Sequence, residues 1–316
     1  MTRIVIATRS SELALFQARQ VQSALAARGI ESDLKTYKTV GDKRLDQPLS
    51  EIGAKGLFTK ELEDDLAAGR VHCCVHSLKD LPTEMPSGLD VVALLPREDS
   101  RDVLLVNSSL GAKTLAELPP GTRVGTSSLR RRAQLLAQRR DLEVVELRGN
   151  VPTRVRKVDE RIVDAAVLAA AGLHRLGAGD RIDQYLDAPG WLPAAGQGAI
   201  AIQIRSDDGE SREVFAPLND RMTMIDATAE RAFLAALEGG CQVPIGAAVI
   251  RDGGAVLHGF IADVRGEQVI RGQIAIDERS PTTSGAALAA DLRSRGADEV
   301  LGGLHRPTLV PSPQPE

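Results

Sequence analysis

Residues 71–80, VHCCVHSLKD, gather His72, Cys73, Cys74 and His76 within five positions and end on Lys79 and Asp80. These are side chains of metal sites, thiol chemistry and proton transfer. Flanking valines and the Gly69 stop before them favour an extended strand. On a strand, His72, Cys74 and His76 share one face and Cys73 and Val75 the other. Same-face neighbours lie roughly 6.6 Å apart, whereas zinc ligands converge on one point through bonds of about 2.0–2.3 Å. A straight strand therefore cannot deliver His72 and His76 to one ion. No second Cys/His cluster completes a set, so no metal is expected and both cysteines read as buried core. Lys79 and Asp80 follow the strand's C-terminal end, where open α/β sheets bind ligands. A carboxylate there stabilises a cationic intermediate or moves a proton. On spacing alone, an exposed Lys-Asp pair of little energetic value fits equally.

A second concentration of chemistry lies in residues 123–157, where ten Arg and Lys face three acids, a local +7 in a chain of net charge −4. Thr126, Ser127 and Ser128 stand where a strand turns into a helix, and their hydroxyls and free backbone N–H groups make an anion seat. Arg130, Arg131 and Arg132 occupy the first turn, where the helix dipole is already positive. A bound anion would offset that placement, and arginine grips carboxylates through two parallel hydrogen bonds. A carboxylate or phosphate site is favoured over a solvated basic face. No aromatic side chains are interleaved, which disfavours nucleic acid. Cys241, in EGGCQVPIG, sits in a Gly- and Pro-bearing loop; by its residues alone it reads as an unreactive thiol, since no partner that would lower its pKa is evident.

The elements that must position these groups follow from patterning. The first 95 residues alternate strand and helix signals: RIVIAT, a helix capped by Ser10 or Ser11 and running to about Arg28, SDLKTYKTV, a helix from Thr59 to Gly69, VHCCVHS and LDVVALLP. GDKRLDQPLSEIGAKG between them reads as a long loop. A second unit repeats the alternation with DVLLV, TRVGT, the helix SSLRRRAQLLAQRR, LEVVELRG, a helix start at VPTRVRKVDE and a strand DAAVLAAAG. Such alternation predicts parallel sheets covered on both faces. AIAIQI is a lone strand after the loop PGWLPAAGQG. From about residue 222 the texture changes to one amphipathic helix, an antiparallel meander and a closing helix. The Pro-rich end HRPTLVPSPQPE reads as a disordered tail.

With 316 residues, 43% hydrophobic and 26% charged, the chain is of ordinary globular composition and long enough for two or three domains. No apolar run approaches the ~20 residues of a membrane span. The N-terminal stretch lacks a signal-peptide pattern, and three cysteines make no disulfide framework, so a reducing cytoplasm is expected.

The stretches ATRSSELAL, KGLFTKELE, VHSLKDLPTE, VGTSSLRRRAQL, LRGNVPTR, LAAAGLHRLG, LPAAGQGAIAI and AERAFLAALEGGCQVPIG stand in this order. Together they resemble the porphobilinogen deaminases, also called hydroxymethylbilane synthases, over nearly the whole chain up to about residue 305. The resemblance implies an α/β fold of two periplasmic-binding-protein-like (type II) lobes around a cleft, plus a smaller α+β C-terminal domain. Domain 1 would comprise residues 1–97 and 198–217, domain 2 residues 101–193 and the third domain residues 221–305, with 306–316 as tail. It implies a transferase of tetrapyrrole and haem biosynthesis. Four porphobilinogen molecules would be joined head to tail into 1-hydroxymethylbilane, with ammonia lost each time. The chain would grow on a dipyrromethane cofactor held by a thioether to Cys241.

By the same resemblance Asp80 is the catalytic carboxylate, hydrogen-bonding pyrrole N–H groups and stabilising the cation left by deamination. Lys79 is its basic, cofactor-side neighbour. Arg9, Arg130, Arg131, Arg148, Arg154 and Arg175 match cleft arginines for the acetate and propionate groups, Ser127 and Ser128 donors at a helix terminus, and Lys55 a lid over the cleft. A cytoplasmic monomer is implied, with a small-molecule substrate and no nucleic-acid or membrane partner. The family often has an Asp-(Ile/Ala)-Ala run where this chain reads His72-Cys73-Cys74, a departure expected to affect strand packing only. A non-enzymatic solute-binding protein would explain the lobes but not a third domain or Cys241. A nucleic-acid regulator would explain only the basic segment.

Overall fold

The computed structural model describes residues 3–39, 59–237 and 243–302. The β-branched run Ile4–Arg9 forms strand β1. Ser11 caps the following helix Glu12–Ala26 (α1) by accepting from the Ala14 N–H. The buried face of α1 carries Ala14, Gln17, Ala18, Val21 and Leu25 at helical spacing. Ser32–Tyr37 (β2), Lys60–Ala67 (α2), Cys73–Ser77 (β3) and Leu89–Leu94 (β4) follow, and a 3-10 turn over Leu78–Asp80 terminates β3. Cys73 and Val75 pack in the core that includes Ala18, Val21 and Leu25 of α1, while Cys74 packs with Leu62 and Leu66 of α2. The alternation expected for this strand is thus present, and both thiols are buried and free. Among the described residues no group of His, Cys, Asp or Glu could hold a metal ion.

The second lobe is built from Asp102–Val106 (β5), Arg123–Gly125 (β6), Leu129–Gln138 (α3), Glu143–Val145 (β7), Val151–Asp159 (α4), Ala165–Ala169 (β8), Ala170–Arg175 (α5) and Gln184–Leu186 (β9). DAAVLAAAG, expected as one strand, changes to helix at Ala170, which places Arg175 in the last turn of α5. The chain then returns to the first lobe as Ile200–Arg205 (β10).

Neither sheet is all-parallel, in contrast to the expectation from strand–helix alternation. The first has the order β2-β1-β3-β10-β4 and the second β7-β6-β8-β5-β9. Strand β10 runs antiparallel to β3 and β4, and β5 antiparallel to β8 and β9. The reason is topological: β5 and β10 are the strands by which the chain enters each lobe from the other, so they approach against the local strand direction. This is the two-lobed type II arrangement.

Two crossovers, residues 95–101 and 187–199, join the lobes. They touch through Glu98 N–H to Gly198 O at 3.2 Å, and Leu95 N–H donates to Ile200 O at the start of β10 at 3.1 Å. Gly198 has φ +89°, and a Cβ there would lie 2.3 Å from the Glu98 carbonyl oxygen, so only glycine permits this approach.

Gly209–Phe215 (α6) follows β10 and packs Phe215 into the first-lobe core. The last unit contains Arg221–Ala236 (α7), the antiparallel strands Ile245–Arg251 (β11), Ala255–Ala262 (β12) and Val269–Ala275 (β13), and helices Pro281–Ser294 (α8) and Ala297–Gly302 (α9). Phe233, Leu257, Ile261, Leu288 and Leu292 fill the core between the three-stranded sheet and its helices. Among the contacts that dock it on the lobes are those of Arg231, Arg271 and Glu230. Arg231 donates to the carbonyls of Leu78, Leu81, Pro82 and Thr83, around the 3-10 turn. Arg271 donates to Pro189 O at 2.9 Å and Gly190 O at 3.1 Å. The fully buried Glu230 accepts both terminal nitrogens of Arg97 at 2.8 and 2.9 Å, the Gly196 N–H at 2.8 Å and the Val249 N–H at 3.0 Å.

Replacing Glu230 by alanine leaves a largely buried guanidinium and two backbone donors unpaired. Glu230→Ala is therefore expected to lower unfolding free energy by about 3–5 kcal/mol, read as a fall in the urea midpoint. An unchanged midpoint would show that this junction is not needed for stability.

Candidate active site

The 3-10 turn after β3 presents Lys79 and Asp80 at the mouth of the interlobe cleft. One part of the cleft is bordered by Ser77, Lys79, Arg131, Arg154, Arg175 and Gln197, drawn from both lobes and a crossover. A second part is bordered by Arg9, Ser11, Thr59, His76 and Asp80. Leu13, Gln17 and Ser77 border both, so the two parts are continuous. Gln17 donates to Ser77 Oγ at 2.8 Å, fixing α1 against the end of β3.

Asp80 is exposed, and among the described residues its carboxylate accepts no hydrogen bond. Its charge still acts on the walls, favouring the protonated forms of Lys79 and Arg154. Burial dominates at Lys79 and, with Arg131 and Arg130 nearby, pushes its ammonium down to about 8. Lys79 Nζ donates to Gln197 Oε1 at 3.2 Å. Burial, then the charges of Arg131 and Arg148, push Arg154 down to about 10, and its Nε donates to Gly149 O at 2.8 Å. Arg175 is 8% exposed; Nη2 donates to Gly198 O at 2.6 Å, while the buried Nε has no hydrogen-bond partner among the described residues. Such an orphaned cationic donor on a cleft wall suits an anionic ligand.

The first-turn arginines of α3 are used differently from expectation. Arg130 and Arg131 are buried and both grip Asp102, which is fully buried at the start of β5. Arg130 Nη1 lies 2.5 Å from Asp102 Oδ2, and Arg131 Nη2 and Nε lie 2.7 and 3.1 Å from Oδ1. Trp191 Nε1 and Gln197 Nε2 donate to the same carboxylate at 2.8 and 2.9 Å. Burial alone would raise the Asp102 carboxyl, but the two guanidiniums more than offset it and hold it well below the usual carboxylate range. The anion that offsets these arginines is thus the protein's own. Arg131 still borders the cleft; Arg130 borders neither part and donates to Leu192 O at 2.8 Å.

Ser127 donates through Oγ to Leu147 O at 2.6 Å, and Ser128 Oγ caps α3 by accepting from the Arg131 N–H. Neither serine borders the two cleft parts, nor does Arg148, which is half-buried near Arg154. Lys55 and Cys241 lie outside the described residues.

Residues 4–213 match the family model described as "Porphobilinogen deaminase, dipyromethane cofactor binding domain", and residues 224–294 match "Porphobilinogen deaminase, C-terminal domain". The chain belongs to the porphobilinogen deaminase family. It is 47% identical over 306 residues to a porphobilinogen deaminase of Syntrophobacter fumaroxidans, covering 96% of this chain and 98% of that one. It is 49% identical over 304 residues to one from Moorella thermoacetica, covering 95% and 96%. Among solved structures, the methionine-binding protein MetQ overlaps 75% of this chain and 94% of its own at 15% identity, with a TM-score of 0.43.

Two cleft residues, Gln17 and Gln197, and the buried Asp102 behind the cleft wall were not singled out from the sequence, though each left a trace. Gln17 is a polar side chain on the apolar face of α1. Asp102 is a charge heading the otherwise apolar strand DVLLV. Gln197 sits between two glycines in a loop of small residues.

Lys79 gives a signed pH dependence. Its folded pKa of about 8 lies below its ordinary 10.5. Between these values the native protein binds fewer protons than the unfolded chain, so stability from this group rises with pH across that window. The urea midpoint of the wild type should therefore gain on that of Lys79→Met between pH 8 and 10.5; parallel profiles would contradict the shift.

Proposed function

We propose that this chain joins four porphobilinogen molecules head to tail into 1-hydroxymethylbilane, releasing ammonia at each condensation, and that Asp80 is the carboxylate at the reacting centre. The observation that carries the assignment is the charge layout of the cleft. A carboxylate that accepts no hydrogen bond among the described residues stands among Lys79, Arg131, Arg154, Arg175 and Arg9, which suits a ligand with anionic periphery and a transiently cationic core.

The residues fit the family's dipyrromethane group: carboxylates match the guanidiniums of Arg131, Arg154 and Arg175, including the orphaned Arg175 Nε, and pyrrole N–H groups match Asp80. Joined through Cys241, the group supplies a covalent primer for the growing chain. Asp80 then stabilises the cationic carbon that deamination of the incoming substrate leaves, and accepts or returns the proton moved in that step. Lys79, fixed by Gln197, provides a cation beside Asp80 that pairs with an acetate or propionate. Arg148 adds to the positive field around Arg154, and Ser127, Ser128 and Arg130 hold the helix terminus that carries Arg131. No helix among the described residues is long and apolar enough to cross a membrane. We infer a cytoplasmic monomer, and the two free thiols fit a reducing compartment.

The intact mass of the purified protein should exceed the sequence mass by one dipyrromethane unit, and Cys241→Ser should abolish both the increment and turnover. Unmodified protein that still makes hydroxymethylbilane would overturn the cofactor assignment. Asp80→Ala should lower kcat by about 10²–10⁴-fold, measured as hydroxymethylbilane formation, while the mass increment persists. Turnover near the wild-type rate would remove Asp80 from the reaction.

A further inference from the structure

The face of β3 toward α2 carries a chain of polar groups that the roles above leave unused. Glu63, on α2 and 9% exposed, accepts from Thr59 Oγ1 at 3.0 Å and from Gln203 Nε2 at 3.0 Å. A carboxylate only accepts, so Gln203 turns its amide nitrogen to Glu63 and its Oε1 to His76, whose Nε2 lies 3.1 Å away. His76 must therefore donate through Nε2, which leaves the lone pair on Nδ1. His76 is 6% exposed, and Nδ1 makes no hydrogen bond among the described residues. The residue borders the same part of the cleft as Arg9, Ser77 and Asp80. The structure thus holds a fixed acceptor beside the candidate catalytic carboxylate.

We propose that His76 Nδ1 accepts a hydrogen bond from a pyrrole N–H of the ligand held beside Asp80 and orients that ring for reaction. The inference rests on the function proposed above. A ligand built from porphobilinogen has carboxylates at its periphery, which a lone pair repels. Its donors are the pyrrole N–H groups and one terminal ammonium. Arg9, on the same wall, disfavours the ammonium and leaves the ring N–H as the matching group. Burial pushes His76 down to about 4, so the imidazole holds an N–H at neutral pH without taking its proton. The Thr59–Glu63–Gln203 chain acts through His76, fixing its tautomer and ring plane as outer partners fix a ligating histidine.

Two substitutions separate this contact from a purely structural role. His76→Gln retains a donor toward Gln203 and loses the acceptor at the Nδ1 position. His76→Asn retains an acceptor near the Nδ1 position and loses the bond to Gln203. The expected result is a crossed pattern. His76→Gln should unfold near the wild-type urea midpoint and keep the dipyrromethane mass increment, yet lose roughly 10–100-fold in kcat. His76→Asn should unfold at lower urea but retain kcat within several-fold. Wild-type kcat in His76→Gln, or kcat that follows stability across both variants, would overturn the inference. A wild-type protein inert toward porphobilinogen would overturn the proposed function and this inference with it, an outcome distinct from either variant result.

Discussion

The second lobe is organised around one buried carboxylate. Asp102 has no exposed surface and accepts hydrogen bonds from two guanidiniums, an indole and a side-chain amide. Burying an ion costs several kcal/mol unless its lone pairs are satisfied by close, well-aligned donors; here they are. The donors come from α3 and from the crossover that holds Trp191 and Gln197, while the acceptor heads β5. The bond network therefore fixes where helix, sheet and crossover meet. Through Gln197 it continues to Lys79 in the first lobe. A cluster of positive charge on a short helix is stable only because this anion lies beneath it, and the surplus cations on the cleft wall follow from the same arrangement.

The cleft itself divides its charges by task. Arg131, Arg154 and Arg175 from the second lobe and Lys79 from the turn surround the space, while Asp80 is the carboxylate placed against them. His76 adds a neutral acceptor whose orientation is fixed by groups on the opposite side of its ring. Cations recognise the periphery of an acidic ligand; acceptors recognise its N–H core. Both sets hang on elements with buried cores, so little of the site depends on loose surface side chains.

Local signals made much of this readable. The cap at Ser11, the alternation of Cys73, Cys74 and Val75 across β3, and the apolar period of α7 and α8 follow from neighbours in the chain. Motif order also carried the family and the two-lobed fold. What local pattern could not carry was strand direction, because β5 and β10 are reversed by a connection between lobes and not by their own residues. The change to helix at Ala170 was hidden in a run of alanines that suits either state. The arginines of α3 showed the need for an anion, but whether that anion was a ligand or Asp102, 28 positions earlier, depends on tertiary contact alone. The relay behind His76 spans 140 residues between Glu63 and Gln203, and no spacing rule reaches that far.

The last unit grips both lobes through carbonyl oxygens. Arg231 reads the backbone of residues 78–83, and Arg271 reads Pro189 and Gly190. A carbonyl is present whatever side chain its residue bears. The lobes can therefore drift in sequence at these points without loosening the joint, and these bonds use no side chain of the turn bearing Lys79 and Asp80. At these two points the burden of constancy falls on the arginines at the other side of the seam.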